Sequence, residues 1–510
     1  MTSTRRDILK FIVTGSIAAG CPIDLSLLAA PDAPNPDVDG EHFEICHKIR
    51  DGEAFSKTAV SKNYDVVIVG GGISGLSAAY FLRSKNFLLV EKEDHWGGNA
   101  YREDYEGEGF ATGSAYDFVG SQSAALAKEI GLEQLPVNCP DPTIVNGKWI
   151  ADTWRAGLDE LPYPHSVRDA FKKFRSEMLK INVDSNPAQY DNEPLTKYLQ
   201  GYPAELKQWW DGYGLSNWGA KSEDTSFYVA MEDFADFAAD KFEDSRITLP
   251  GGNGAITQKL SQTLLAKFAD RMLAGATTVS VEPQQNSVDV TYLHQGKLET
   301  AAAKAVIMAT PKLISLRLVA GIPSAQVKAM QSIRYAPYPV INMIFDKPVY
   351  NRGYDTWCPG NTFTDFIVAD WTVRNQLGYK QKNNILSFYT PLDEDDRHKL
   401  LSIEGCQRIA MNALRDFNRL LPEFNVDPIE IHMYRRGHPM FMATPGNYTR
   451  TIPAARTPLD RVFFANADSE GPESLATGGV SAAQKGAEWV EKRLSGASAQ
   501  QAKLAVGLAG

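Results

Sequence analysis

The stretch Tyr64-Asp-Val-Val-Ile-Val-Gly-Gly-Gly-Ile-Ser-Gly-Leu76 restricts this chain more than any other. Asp65 to Val69 is a short β-branched run, as a buried parallel strand requires. Gly70, Gly72 and Gly75 then spell G-x-G-x-x-G, and Ile73 to Ser84 reads as a helix. The first glycine permits a sharp turn, the second lets backbone approach a pyrophosphate, and the third lets helix and strand pack closely. The helix N-terminus presents free N–H groups and a positive dipole end to the phosphates. Phe87 to Val90 reads as the next strand, and Glu91 follows at the spacing of an acid that holds a ribose hydroxyl. Strand, fingerprint, helix, strand and acid in this order predict a Rossmann-like dinucleotide-binding unit and an α/β fold.

The remaining chain is long enough for a second domain. Its 510 residues exceed a single ordinary core. A net charge of -10 excludes a nucleic-acid or anionic-membrane partner as the first expectation and is compatible with a cationic substrate. Cys21, Cys46, Cys139, Cys358 and Cys406 are widely spaced, so no zinc site or haem c attachment is predicted. One disulfide among the last four is compatible with export.

Residues 1–30 read as a targeting segment. Thr4-Arg-Arg-Asp-Ile-Leu-Lys10 resembles the bacterial twin-arginine export signal, which predicts a periplasmic or exported protein. Leu28-Ala-Ala30 is a cleavage region, and Ala19-Gly-Cys21 offers an alternative in which Cys21 is lipid-anchored. About ten apolar residues at Phe11 to Gly20 fall short of the roughly twenty that span a bilayer, so no transmembrane segment is expected. Residues 31–62 read as linker and N-terminal segment, with Pro31 to Gly40 the linker and a helix-like piece at His42 to Gly52. Trp96-Gly-Gly-Asn99 is a second close-approach site, and Gly109 to Ser114 a flexible, small-residue stretch. Residues 143–245 are helical and aromatic, with rings assigned mostly to core. Thr277 to Thr300 reads as a β-meander, Val306 to Ala309 as a returning strand, and Thr477-Gly-Gly-Val480 as the start of a second glycine-opened helix.

Taken in order, Gly70 to Gly75, Glu91, Gly97-Gly98, Leu249 to Ile256, the Val279 strand, Val306 to Pro311 and Phe463 to Val480 resemble the flavin-containing amine oxidoreductase family. Phe43 to Gly52 and Arg436-Gly-His438 are similar to its bacterial spermidine dehydrogenase subgroup. The resemblance implies an amine oxidase-like two-domain fold: a Rossmann-like FAD-binding domain with an inserted α+β substrate domain. The FAD domain would comprise residues 63–142, 246–335 and 455–497, the substrate domain 143–245 and 336–454, and the tail 498–510. It further implies that Gly70, Gly72, Ser74, Gly75, Glu91, Lys92, Gly97, Gly98, Asn99, Val279, Asp468, Gly479 and Val480 surround a noncovalent FAD.

The implied reaction is oxidation of a primary or secondary amine to an imine, by hydride transfer from the α-carbon to flavin N5, followed by hydrolysis. A polyamine such as spermidine falls in this class, and Glu232, Asp233, Asp365 and Asp370 are carboxylates that could receive its other ammonium groups. Many family members carry a lysine near the flavin where this chain has Asn342, which tilts the expectation towards a dehydrogenase using an electron-acceptor protein or quinone. His438 is the other candidate catalytic residue. His47 or His438 could ligate a haem b, which the subgroup resemblance admits. Two rival readings keep the fold: a desaturase or protoporphyrinogen-type oxidase of a hydrophobic substrate, and a flavin-loaded binding protein without turnover.

Overall fold

The computed structural model describes residues 33–378, 382–424 and 426–496. The targeting segment, Cys21 and the tail lie outside them. The fingerprint strand extends further back than its apolar run, spanning Val60–Val69. It sits between Phe87–Val90 and Lys297–Met308, pairing parallel to both. Met272–Leu273 adds a further parallel strand on the Phe87 side.

Lys297–Met308 has two roles. Its first half closes an antiparallel meander with Val288–His294, which pairs with Ala276–Pro283. Its second half runs parallel to Val462–Phe464, so the predicted returning strand is the continuation of the meander. Val66, Val67, Ile68, Ala305, Val306 and Ile307 are fully buried, as strands covered on both faces must be. Helices Ile73–Phe81, Gly254–Phe268 and Ala476–Leu494 pack on one face through Leu76, Ile256, Leu260, Ala483 and Val490.

A second, eight-stranded sheet runs Asp37–Gly40, Glu430–Arg435, Val340–Phe345, Asn384–Tyr389, Asp365–Val368, Asp355–Trp357, Thr143–Val145 and Lys148–Ile150. Its edge strand corrects the linker reading: Asp37–Gly40 pairs parallel with Glu430–Arg435. Helix Ile403–Leu420 covers one face with Cys406, Ile409, Ala410, Ala413, Leu414 and Phe417, at amphipathic spacing. The Phe417 ring meets those of Phe366 and Phe388 at 5.6 and 5.3 Å. Above the sheet, helices His165–Met178, Ala204–Trp218 and Phe227–Phe237 enclose an aromatic core. Trp154 meets Trp209 and Phe234 edge-on at 4.9 and 4.8 Å, the geometry ring quadrupoles favour. The core assignment of these rings holds: Trp154, Trp209, Trp210, Tyr213, Trp218, Phe227 and Tyr228 are all buried.

The segment predicted to be flexible at Gly109 to Ser114 instead starts in a hairpin of Arg102–Tyr105 with Glu108–Ala111. The four described cysteines, Cys46, Cys139, Cys358 and Cys406, are free thiols. Among the described residues no helix is long and apolar enough to cross a membrane.

The hairpin is tied to the second sheet by charge. His432 contacts Glu103 at 3.2 Å and Glu430 at 2.8 Å, and Glu103 first among its partners pushes the imidazole up to about 9. Because the folded value exceeds the unfolded one, the stabilisation is complete below about pH 6.5 and is lost as pH rises through 9. The thermal midpoint of the wild type should therefore exceed that of His432→Gln by a margin worth on the order of 1–2 kcal/mol at pH 6. That margin should close by about pH 10. A margin that stays constant across this range would show that the imidazole is neutral.

Candidate active site

The fingerprint turn is built by close backbone approaches. Gly70 has φ +106, and a Cβ on Gly75 would lie 1.7 Å from the Gly70 carbonyl oxygen. Helix Ile73–Phe81 can therefore reach the strand end only without a side chain there. Gly97 donates its N–H to the Gly71 carbonyl at 3.0 Å. A Cβ on Gly98 would stand 3.1 Å from the Gly72 Cα, so the two glycine pairs form one narrow cradle. The helix starts at Gly72 with no side-chain cap, which leaves its first N–H groups for an anion. Ser74 is 2% exposed, and its hydroxyl is buried with no partner.

Glu91 is buried at the end of its strand and accepts N–H groups from Gly71 and Glu93. Burial raises its carboxyl. Lys92 pairs with Glu93, and Asn99 donates to the Pro439 carbonyl at 2.7 Å. Val279 is the residue skipped where the meander register shifts between Thr278 and Ser280, so its backbone groups fall outside the ladder. The neighbouring Thr278 hydroxyl is also buried without a partner. Gly479 abuts the first helix, where a Cβ would lie 2.8 Å from the Ser74 hydroxyl, and Val480 is core. An uncapped helix, a glycine cradle and two orphaned hydroxyls fit a dinucleotide.

Asp468 sits within a closed hydrogen-bond network. It is 1% exposed, and Lys312 donates to it from its ammonium at 2.6 Å and from its backbone N–H at 2.7 Å. Tyr335 donates its hydroxyl at 2.6 Å. Burial pulls the Lys312 ammonium down and Asp468 opposes this. Lys312 was not identified from sequence, since a lysine after Thr310-Pro311 reads as a solvated residue.

The segment Ala111 to Ser114 gathers the other candidates. Asn342, fully buried, donates to the Ala111 carbonyl at 3.2 Å and accepts from Ser387 at 2.5 Å. Arg436 donates to the Thr112 carbonyl and hydroxyl, and Tyr389 to the Gly113 carbonyl at 2.7 Å. Arg397 donates to the Gly437 carbonyl, and Gly437 N–H reaches Glu41. The loop holding His438 is thereby fixed against Gly98 and Asn99. Burial, reinforced by Arg397, lowers His438 to about 4, so its ring is neutral at pH 7. His47 is also lowered, first by burial, and its charge acts on His438.

A cavity of about 110 Å³ lies between the two domains. Tyr116 and Phe118 wall it from one side, and Trp154, Trp209, Tyr213 and Trp357 from the other. Asp141, Asp152, Asp233, Asp236, Glu243, Asp244 and Glu473 line it against only Arg155 and Arg246. Arg246 pairs with Asp141 and Asp244 at 2.6 and 2.9 Å, and Arg155 with Asp152 at 2.7 Å. Glu473 and Leu475 immediately precede helix Ala476–Leu494, whose first turn abuts Ser74, so the cavity adjoins the cradle.

Of the four suggested carboxylates, Asp233 lines this cavity and Glu232 is exposed beside it. Asp370 is committed to Arg374 and Asn384. Asp365 accepts from Ser216 and Thr364 next to Asp355. Burial holds both Asp355 and Asp365 above the usual carboxylate range.

The family model for flavin containing amine oxidoreductases matches residues 73–490. The oxidoreductase PigB of a Serratia species is 22% identical over 84% of this chain and 76% of its own length. Flavin-containing amine oxidase A of Sus scrofa is 44% identical over 80 residues, 14% of this chain and 15% of that one. Among solved structures, cyclohexylamine oxidase from Brevibacterium oxydans superposes with TM-score 0.67 at 18% identity, covering 85% of this chain and 99% of that one. Putrescine oxidase bound to putrescine gives 0.64 at 17% identity, covering 84% and 98%.

Removing an unpartnered buried hydroxyl costs the flavin-free fold nothing. Ser74→Ala should leave the thermal midpoint of the flavin-free protein unchanged or higher. It should weaken flavin binding about fivefold, roughly 1 kcal/mol, in a fluorescence titration of deflavinated protein. Unchanged affinity would remove Ser74 from the cradle.

Proposed function

The chain belongs to the flavin-containing amine oxidoreductase family, and from that premise we propose that it oxidises a primary or secondary aliphatic amine to an imine that then hydrolyses. The observation that carries this reading is the aromatic, carboxyl-rich cavity beside the cradle. Aromatic faces and carboxylates attract an ammonium. Carboxyls draw the charged amine in, and desolvation against the aromatic faces opposes them by favouring loss of the ammonium proton from the reacting nitrogen. FAD, when bound, supplies the hydride acceptor. The chain's own residues would hold it: the Gly70–Gly75 turn and uncapped helix at the pyrophosphate, Glu91 at a ribose, and the Val279 bulge as a further contact.

A polyamine such as spermidine is the finer substrate reading. An electron-acceptor protein or quinone in place of oxygen is supported by Asn342, which brings a neutral, hydrogen-bonded amide where a charged lysine stands in many relatives. Haem b rests on His47 and His438 alone, two imidazoles that burial lowers and that act on one another electrostatically. The excess of carboxyls weighs against a hydrophobic substrate.

The purified protein should show a flavin band that bleaches anaerobically with spermidine or a simple amine. A band untouched by every amine would sink the oxidation and leave a binding protein or the hydrophobic-substrate enzyme. A Soret peak in the same spectrum reads for haem. Export in folded, flavin-loaded form is carried by Arg5 and Arg6. Replacing both by lysine should retain the protein in the cytoplasm, and unchanged periplasmic recovery would refute that route.

A further inference from the structure

Three cationic side chains are buried among the described residues: Arg246, Lys312 and Arg436. Two of them are neutralised at short range. Arg246 pairs with Asp141 and Asp244, and Lys312 pairs with Asp468 at 2.6 Å. Arg436, 6% exposed, makes no ion pair among the described residues. Its guanidinium donates to the Thr112 carbonyl, to the Thr112 hydroxyl at 2.9 Å and to the Gly98 carbonyl at 3.3 Å, all neutral oxygens.

Holding main-chain oxygens does not require a charge. Asn342 holds the adjacent Ala111 carbonyl with a neutral amide, and an unpaired buried ion is far more costly than a buried amide. The backbone nevertheless fixes the arginine here. Tyr338 N–H donates to the Arg436 carbonyl at 3.0 Å, and Gly437 N–H reaches Glu41 at 3.0 Å. Glu41 is first among the charges that act on the guanidinium, yet it stays outside ion-pair distance.

The surroundings of Arg436 indicate what its charge meets. The Gly98 that it bonds backs onto Gly72, where helix Ile73–Phe81 begins with no side-chain cap. The other cations around this turn are committed, Lys92 to Glu93 and Arg102 to Asp104. We propose that Arg436 is the counter-ion of the FAD pyrophosphate, reaching the cradle from the second sheet and facing the phosphates opposite the helix N-terminus. The proposal rests on the cradle taking FAD and holds whatever amine is oxidised. A planar guanidinium matches two phosphate oxygens at once, which an ammonium does not. Arg436 directly follows strand Glu430–Arg435, so the bound cofactor would neutralise a charge that the second sheet contributes.

The test compares Arg436→Gln and Arg436→Lys in the full-length protein. FAD affinity is read by fluorescence titration of the deflavinated chains, and the reduction potential is read on the flavin-loaded ones. Arg436→Gln should weaken FAD binding about 30-fold, the scale of a charge-assisted contact. Its flavin-free thermal midpoint should stay at or above that of the wild type, because an unpaired buried charge has been removed. Arg436→Lys keeps the charge and should stay within about fivefold of wild-type affinity. The potential should be unchanged in both. Wild-type affinity in Arg436→Gln would overturn the proposal. Equal losses in the two variants would also overturn it, by reducing Arg436 to a strut for Thr112. A potential that falls at unchanged affinity would overturn it in favour of the flavin ring. If the variants do not fold, a crystal structure of the flavin-loaded wild type decides. A guanidinium nitrogen about 3 Å from a phosphate oxygen supports the counter-ion, and phosphates held by the helix alone refute it. None of these readouts uses amine turnover, so failure of the oxidation leaves them standing, and failure of the counter-ion leaves the oxidation standing.

Discussion

The approach of one helix to one strand end governs the rest of the molecule. With no side chain at Gly75, helix Ile73–Phe81 sits so close that its first turn faces the end of the parallel sheet. Every other component of the cradle is measured from that position. Gly98 backs onto Gly72, Gly479 backs onto Ser74, and Glu91 bonds the N–H of Gly71. A methyl group at Gly75 would displace the helix and with it three further contacts.

A second centre, Ala111 to Ser114, joins the domains through main-chain carbonyls. Asn342, Arg436 and Tyr389 each donate to a consecutive residue of it. Buried carbonyls demand partners, and here the partners come from the second sheet. Asn342 and the Arg436 that leads into the His438 loop are thus held by hydrogen bonds to this one segment.

Much of the cofactor domain was legible because its signal is local. Gly70, Gly72, Gly75 and Glu91 lie within a short span, and β-branched runs mark the strands on either side. The meander and the helix Gly254–Phe268 were readable for the same reason. What escaped depends on distant pairing. Asp37–Gly40 looks like a Pro/Asp linker until Glu430–Arg435 lies beside it. Gly109 to Ser114 reads as flexible because small residues also serve where other chains crowd in, as the Asn99 carbonyl does 2.4 Å from a Cβ on Gly113. Asp233 was one of several acids with equal claims. Only the cavity separates it from Asp370, which Arg374 neutralises. Glu473 carries no sequence signal, since nothing local says that it reaches the same cavity.

The buried pair of Lys312 and Asp468 has a consequence for the order in which the molecule is made. Its partners are separated by 156 residues, and the strand Val462–Phe464 leading to Asp468 is near the C-terminal end of the described chain. A fully enclosed ammonium without its carboxylate costs about 3–5 kcal/mol. A nascent chain that has already produced the fingerprint, the meander and Lys312 therefore still lacks a closed cofactor domain. The cofactor domain is thus a unit whose interior joins early and late parts of the chain, and its buried ammonium is neutralised only when both are in place.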